Sequence, residues 1–145
     1  MQYMWADTLF ALERAHLLRL AIWGGASLLV GSSLLALLRL RGHRSSLLDH
    51  FGIQTALWGV IDLAIALVGL QRLELRDLSG ATRLDRFLWL NVGLDAGYVM
   101  VGLTLLIFGW RAPQRPGLVG AGLAVIVQGS ALAILDILFA GQIAR

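Results

Sequence analysis

Long apolar stretches separated by short polar segments dominate the chain. They lie at about residues 20–38, 51–70, 87–110 and 117–143. A helix needs about 20 mostly apolar residues to cross the hydrocarbon core of a bilayer, and each stretch has about that length. The pattern therefore predicts an all-α fold, an integral membrane four-helix bundle that forms a single transmembrane domain over residues 1–145.

The segment before the first apolar stretch, at about residues 3–19, has a different pattern. Apolar side chains such as Trp5 and Leu9 recur there among charged ones such as Glu13 and Arg14. This spacing is typical of an amphipathic helix that lies at the membrane interface. Because acidic and basic residues alternate in it, we do not expect it to be a cleaved secretory signal.

Composition supports a membrane location. Of the 145 residues, 58% are hydrophobic and only 14% are charged, and the mean hydropathy is +0.76. Soluble domains carry about 25% charged residues. Four spans use nearly the whole length, so we expect no soluble domain. The chain has no cysteine, which excludes disulfides and thiolate metal sites.

All twelve basic residues are arginines, and they lie between the predicted spans rather than along one stripe. This distribution favours contacts with lipid headgroups over nucleic-acid binding. Seven arginines, including Arg145, lie on the side of the two termini and five on the other, which favours cytoplasmic termini. The candidate headgroup or docking residues are Trp5, Arg14, Arg19, Arg39, Arg41 and Arg44.

Three of the predicted spans each contain one aspartate near the middle, where a carboxylate is costly. Asp62, Asp95 and Asp136 each lie nine or ten residues from an arginine at one end of the span, a distance of about 14 Å along a helix. We therefore expect the three to meet near the midplane. They could form structural hydrogen bonds across the bundle, or they could form a proton or cation site, since no basic residue is expected at that depth.

Amides and aromatic residues accompany the aspartates at helical spacing. Gln54 and Gln128 each precede an aspartate by eight positions, so spans two and four are weak repeats. Gly93 and Gly97 form a small-xxx-small pair that is expected to admit another helix beside Asp95. The predicted polar core consists of Asp62, Asp95, Asp136, Asn91, Gln54, Gln128, Tyr98 and Trp58.

No sequence pattern indicates catalysis. His16, His43 and His50 fall near span ends and are interpreted as isolated interface histidines. A carboxylate di-metal bundle needs two Glu-x-x-His motifs and two further glutamates, whereas this chain has one such motif, from Glu13 to His16. We therefore predict that the protein is not an enzyme and has neither a metal site nor a cofactor, with bound lipid or pigment left open.

Two motifs resemble a known family. The first, N-x-G-L-D-x-x-Y, runs from Asn91 to Tyr98, and the second, Q-G-x6-D, runs from Gln128 to Asp136. With their surroundings in spans two to four, they resemble a family of small bacterial four-helix membrane proteins of unknown function. The resemblance implies the same architecture and a place in the bacterial inner membrane, without implying a reaction.

Three functional hypotheses follow from these patterns. The preferred one is a non-catalytic accessory subunit of a larger membrane assembly, such as a photosynthetic or respiratory complex. Its partners would be membrane lipids and other integral membrane subunits. The first alternative is a small proton- or cation-coupled carrier that uses the aspartate cluster. The second is a module that binds lipid, quinone or pigment between its helices.

Overall fold

The computed structural model describes residues 2–112 and 114–143, with side chains from residue 5 onward, and these residues form four helices and no strand. The helices are α1 (Gln2–Leu40), α2 (Ser46–Gln71), α3 (Leu78–Arg111) and α4 (Pro116–Ala140). All four are long and apolar enough to cross a membrane. The predicted all-α, four-span architecture is thereby confirmed. Arg145, which contributed to the predicted orientation, lies outside the described residues.

Local chemistry at the helix starts explains where the helices begin. Ser45 precedes α2, and its hydroxyl accepts a hydrogen bond from the Leu48 N–H at 3.4 Å. Asp77 precedes α3 and accepts a hydrogen bond from the Gly80 N–H at 2.7 Å. These side chains satisfy backbone donors that have no partner within the helix. The cap at Asp77 starts α3 nine residues before the predicted span, so the segment expected to be a polar loop is largely helical.

The predicted boundary between an interfacial helix and the first span does not exist. Residues Gln2–Leu40 form one uninterrupted helix, because neither proline nor glycine interrupts residues 5–23. At about 1.5 Å per residue, α1 is about 58 Å long, nearly twice the thickness of the hydrocarbon core. The apolar face of its first half, including Leu9, packs against α3 and α4 through Leu88 and Phe139. That face is therefore buried in the bundle.

The helices pack as two antiparallel pairs, α1 with α2 and α3 with α4. Helix α4 also packs along α2 and, over a shorter distance, along α1. Within the described residues, the backbones of α2 and α3 never come into contact. The same is true of α1 and α3, so among the described helices the backbone of α3 packs against α4 alone.

Glycine allows the close approach within each pair. A Cβ added to Gly24 of α1 would lie 2.8 Å from the backbone nitrogen of Leu63 in α2. A Cβ added to Gly102 of α3 would lie 2.8 Å from the carbonyl oxygen of Gly122 in α4. Both contacts are closer than a side chain permits, so small residues set the distance between the helix axes.

The expected role of Gly93 and Gly97 within the bundle is wrong. A Cβ added to either glycine would meet nothing within 4 Å, so neither supports a close helix contact beside Asp95 in this chain. The two positions lie on an exposed face of α3, whereas the helix packs against α4 through Gly102 and Gly109. Sequence spacing identified a small-residue pair without revealing which face of α3 would meet α4.

Candidate functional site

A cavity of about 560 Å³ lies among the four helices and is lined by side chains from each of them and from the link between α2 and α3. Asp62, Asp95 and Asp136 all line it. Their side chains come from three different helices, and the residues are 1%, 4% and 8% exposed, respectively. The structure therefore brings together the three aspartates that the sequence placed at one depth.

Two of these carboxyl groups have an oxygen with no hydrogen-bond partner. Asp62 Oδ2 and Asp95 Oδ2 are buried, and no donor among the described residues reaches either atom. A buried polar atom without a partner costs free energy, and an unpaired charge in a membrane interior costs more. An ionised carboxylate at Asp62 or Asp95 would therefore be costly, and a proton or a cation would remove that cost.

Asp136 differs because His16 of α1 lies beside it. The His16 Nε2 atom is 3.3 Å from Asp136 Oδ1, and Asn91 lines the cavity together with both residues. The His16 ring also stacks on Phe139, with ring centroids 4.8 Å apart. The prediction that His16 is an isolated interface residue was therefore wrong, as was the expectation that no basic residue lies near the aspartates.

An ion pair lines one end of the cavity. Arg76, in the link between α2 and α3, donates from Nε and Nη2 to the two carboxylate oxygens of Glu13, each at 2.7 Å. Two parallel hydrogen bonds of this kind fix both side chains in orientation. The hydrogen bonds to the Glu13 carboxylate raise the pKa of Arg76 above its ordinary value, so the guanidinium stays charged. The pair ties the first half of α1 to the start of α3.

Aromatic side chains form another part of the wall. The rings of Trp58 in α2 and Tyr98 in α3 meet edge to face, with centroids 4.9 Å apart and an interplanar angle of 71°. This pair joins the two helices, and both residues line the cavity. The sequence placed both in the polar core, and the structure places them together at its wall.

The two glutamines of the predicted polar core lie outside the cavity lining. Trp23 Nε1 donates to Gln128 Oε1 at 2.7 Å, and Gln128 Nε2 donates to Ser27 Oγ at 3.0 Å. Gln128 therefore links α4 to α1. Gln54 is half-buried and makes no such bond within the described residues. Spans two and four share the Gln–Asp spacing, but the two glutamines have different surroundings and make different contacts.

The candidate headgroup and docking residues are mostly at the surface. The exposed members of this set are Arg14, Arg19, Arg39, Arg41 and Arg44. Trp5 is partly buried and packs against the cluster around Leu9 and Phe139. It contributes to the bundle itself, and headgroup contact by the arginines stays a prediction.

The contributions of Glu13, His16 and Arg76 to the site were not predicted from the sequence. A usable signal was present, because Glu13, His16, Leu20 and Gly24 follow one another at intervals of three or four, which places them on one side of a helix. The stripe crosses the boundary that was predicted near residue 19. Dividing α1 into two segments concealed it.

The helices and the cavity define a multi-pass membrane protein, a four-helix bundle with an acidic internal cavity. Residues 19–137 match a family of unknown function (DUF6992), and the chain belongs to that family. No curated protein and no solved structure matches the chain. The match confirms the resemblance to a family of unknown function and covers the first span as well. Glu13 and His16 lie outside the matched segment.

Proposed function

We propose that this protein is a small, non-catalytic membrane carrier that binds a cation, or exchanges it for a proton, in the cavity among the four helices. One observation carries the proposal: Asp62 Oδ2 and Asp95 Oδ2 are buried at a cavity and have no partner. By contrast, the buried amide of Gln128 has partners on α1, as most buried polar groups in proteins do.

The charges around the cavity support this role. Glu13 is paired with Arg76, and Asp136 has His16 as its neighbour. Among the described residues, no such basic contact exists for Asp62 or Asp95. A mobile proton or cation would supply the missing positive charge, and a carrier requires a group that can alternate between two such occupants.

Flux through proteoliposomes tests the proposal. The purified protein would be reconstituted with a pH-sensitive dye inside the vesicles, and gradients of Na⁺, K⁺ or ammonium would be imposed in turn. We expect cation-dependent proton movement that is lost in Asp62→Asn and in Asp95→Asn. Asp7→Asn is the matched control, because Asp7 is exposed and does not line the cavity. Absence of flux in the parent protein, or equal flux in all variants, would refute the carrier.

We also propose the accessory-subunit role as a second candidate, on a different observation. Gly93 and Gly97 leave open space on the outer face of α3, and small residues at this spacing admit the helix of another membrane protein. Gly93→Leu with Gly97→Leu should then abolish co-migration with a larger assembly after gentle solubilisation, while the isolated bundle keeps its melting temperature. Unchanged co-migration of the double variant, or a parent protein that migrates alone, would count against this role.

A further inference from the structure

The cavity is larger and more apolar than a bare metal ion requires. Its volume of about 560 Å³ falls within the range of sites for small organic molecules, about 300–1,000 Å³. Most of its lining is apolar, including Leu17, Ile61, Ile65 and Leu88. Among the described residues, no three acidic or histidine side chains are grouped so that they could hold a metal ion. The lining therefore suits an organic cation better than a coordinated metal.

Two kinds of recognition group meet in this cavity. Asp62 and Asp95 provide carboxylates for a positive charge, and Trp58 and Tyr98 provide aromatic rings. A quaternary or tertiary ammonium group interacts favourably with both, because the electron-rich face of an aromatic ring attracts a cation that is poorly hydrated. Apolar substituents on the nitrogen would contact the leucine and isoleucine side chains.

The opening of the cavity indicates how such a ligand arrives. In the described chain α3 has no backbone contact with α2 or with α1, so in a membrane the sides of the cavity next to α3 would be exposed to lipid wherever side chains do not close them. A ligand with apolar substituents partitions into the membrane and can reach the cavity through such a side. Arg72 and the Glu13–Arg76 pair lie along the lining as well, and their guanidinium groups disfavour approach of a cation past them.

We infer that the ligand is a lipophilic ammonium compound, with its charged nitrogen near Asp62 and Asp95 and an aromatic or alkyl group against Trp58 and Tyr98. This inference rests on the proposed cation site and adds the chemical class of its ligand. In this arrangement the two carboxylates recognise the positive charge of the ligand, and the two aromatic rings recognise the shape of its apolar group.

Binding of a matched pair of ligands tests the inference on the unmodified protein. The probe is trimethyl(3-phenylpropyl)ammonium, whose charge does not depend on pH, and the control is its neutral isostere, in which a tert-butyl group replaces the trimethylammonium. Calorimetric titration of the detergent-solubilised protein should show binding of the cation and at least about tenfold weaker binding of the isostere. Equal binding of the two would overturn the inference in favour of a site for neutral lipids or quinones.

Variants locate the site. Asp62→Asn, Asp95→Asn and Trp58→Ala should each weaken binding of the ammonium probe about tenfold or more. Trp110→Ala is the matched control, since Trp110 is 77% exposed and does not line the cavity. The melting temperature of each variant, followed by circular dichroism, separates lost binding from lost folding. Equal binding by folded Asp62→Asn and Asp95→Asn would contradict the assignment.

The two proposals fail in different ways. Proton-coupled flux of Na⁺, K⁺ or ammonium without binding of the probe would overturn the ligand class and leave the carrier intact. Binding of the probe without any flux would support the ligand class and refute transport. Absence of both would overturn the two proposals together.

Discussion

Replacing Gln128 by leucine should destabilise the bundle, because it removes two hydrogen bonds that join α4 to α1. The bond from Trp23 is 2.7 Å long and the bond to Ser27 is 3.0 Å long. In membrane proteins such bonds contribute on average about 0.6 kcal/mol each and at most about 1.7 kcal/mol. Ser27 can turn its hydroxyl to a backbone carbonyl one turn earlier, whereas the Trp23 N–H has no equivalent. We therefore expect a loss of about 1–2 kcal/mol.

The free energy of unfolding would be measured by titrating the protein in dodecylmaltoside micelles with sodium dodecyl sulfate and following circular dichroism. Gln54→Leu is the matched control, since Gln54 is half-buried and lacks these bonds. Its free energy of unfolding should change by less than about 0.5 kcal/mol. A double-mutant cycle with Trp23→Phe gives the interaction free energy between Trp23 and Gln128. An unchanged stability of Gln128→Leu, or an equal loss in Gln54→Leu, would refute the distinction between the two glutamines.

Three further perturbations test separate contacts. Gly24→Ala should cost about 1–3 kcal/mol through overpacking, whereas Gly25→Ala, which meets nothing within 4 Å, should be neutral or stabilising; melting temperatures compare them. Glu13→Gln should lower the free energy of unfolding by about 1–2 kcal/mol. The double variant with Glu13→Arg and Arg76→Glu should recover part of this loss; if it recovers none, packing matters more than charge at this position. A backbone N–H and a serine hydroxyl lower the pKa of Asp77 from its ordinary 3.8, so its ionised form stabilises the fold above pH 3.8 and this contribution disappears as the pH falls through the lowered pKa. The difference in melting temperature between the parent and Asp77→Ala should therefore shrink below pH 3.8, and a constant difference would contradict the role of the charge.

Hydrophobic length could be read from the sequence, whereas the geometry of helix contacts could not. The spans predicted at 51–70 and 117–143 lie close to α2 and α4. The division of α1 near residue 19 was wrong because charged residues at Glu13 and His16 suggested an interface. Those side chains avoid lipid by facing Arg76 and Asp136, which are 63 and 120 positions away. The local spacing places Glu13 and His16 on one side of α1, but it does not identify partners so far away along the chain.

By itself, the sequence determined that the chain forms apolar helices long enough to cross a membrane, since a backbone in hydrocarbon must satisfy its own hydrogen bonds. It also predicted that Asp62, Asp95 and Asp136 meet, because rise per residue fixes position along a helix, and all three line one cavity. Only the tertiary structure decided which face of each helix meets another. That choice depends on close packing at particular glycines, and it keeps the backbones of α2 and α3 apart. It also places His16 beside Asp136. Asp62 Oδ2 and Asp95 Oδ2 are left without a hydrogen-bond partner.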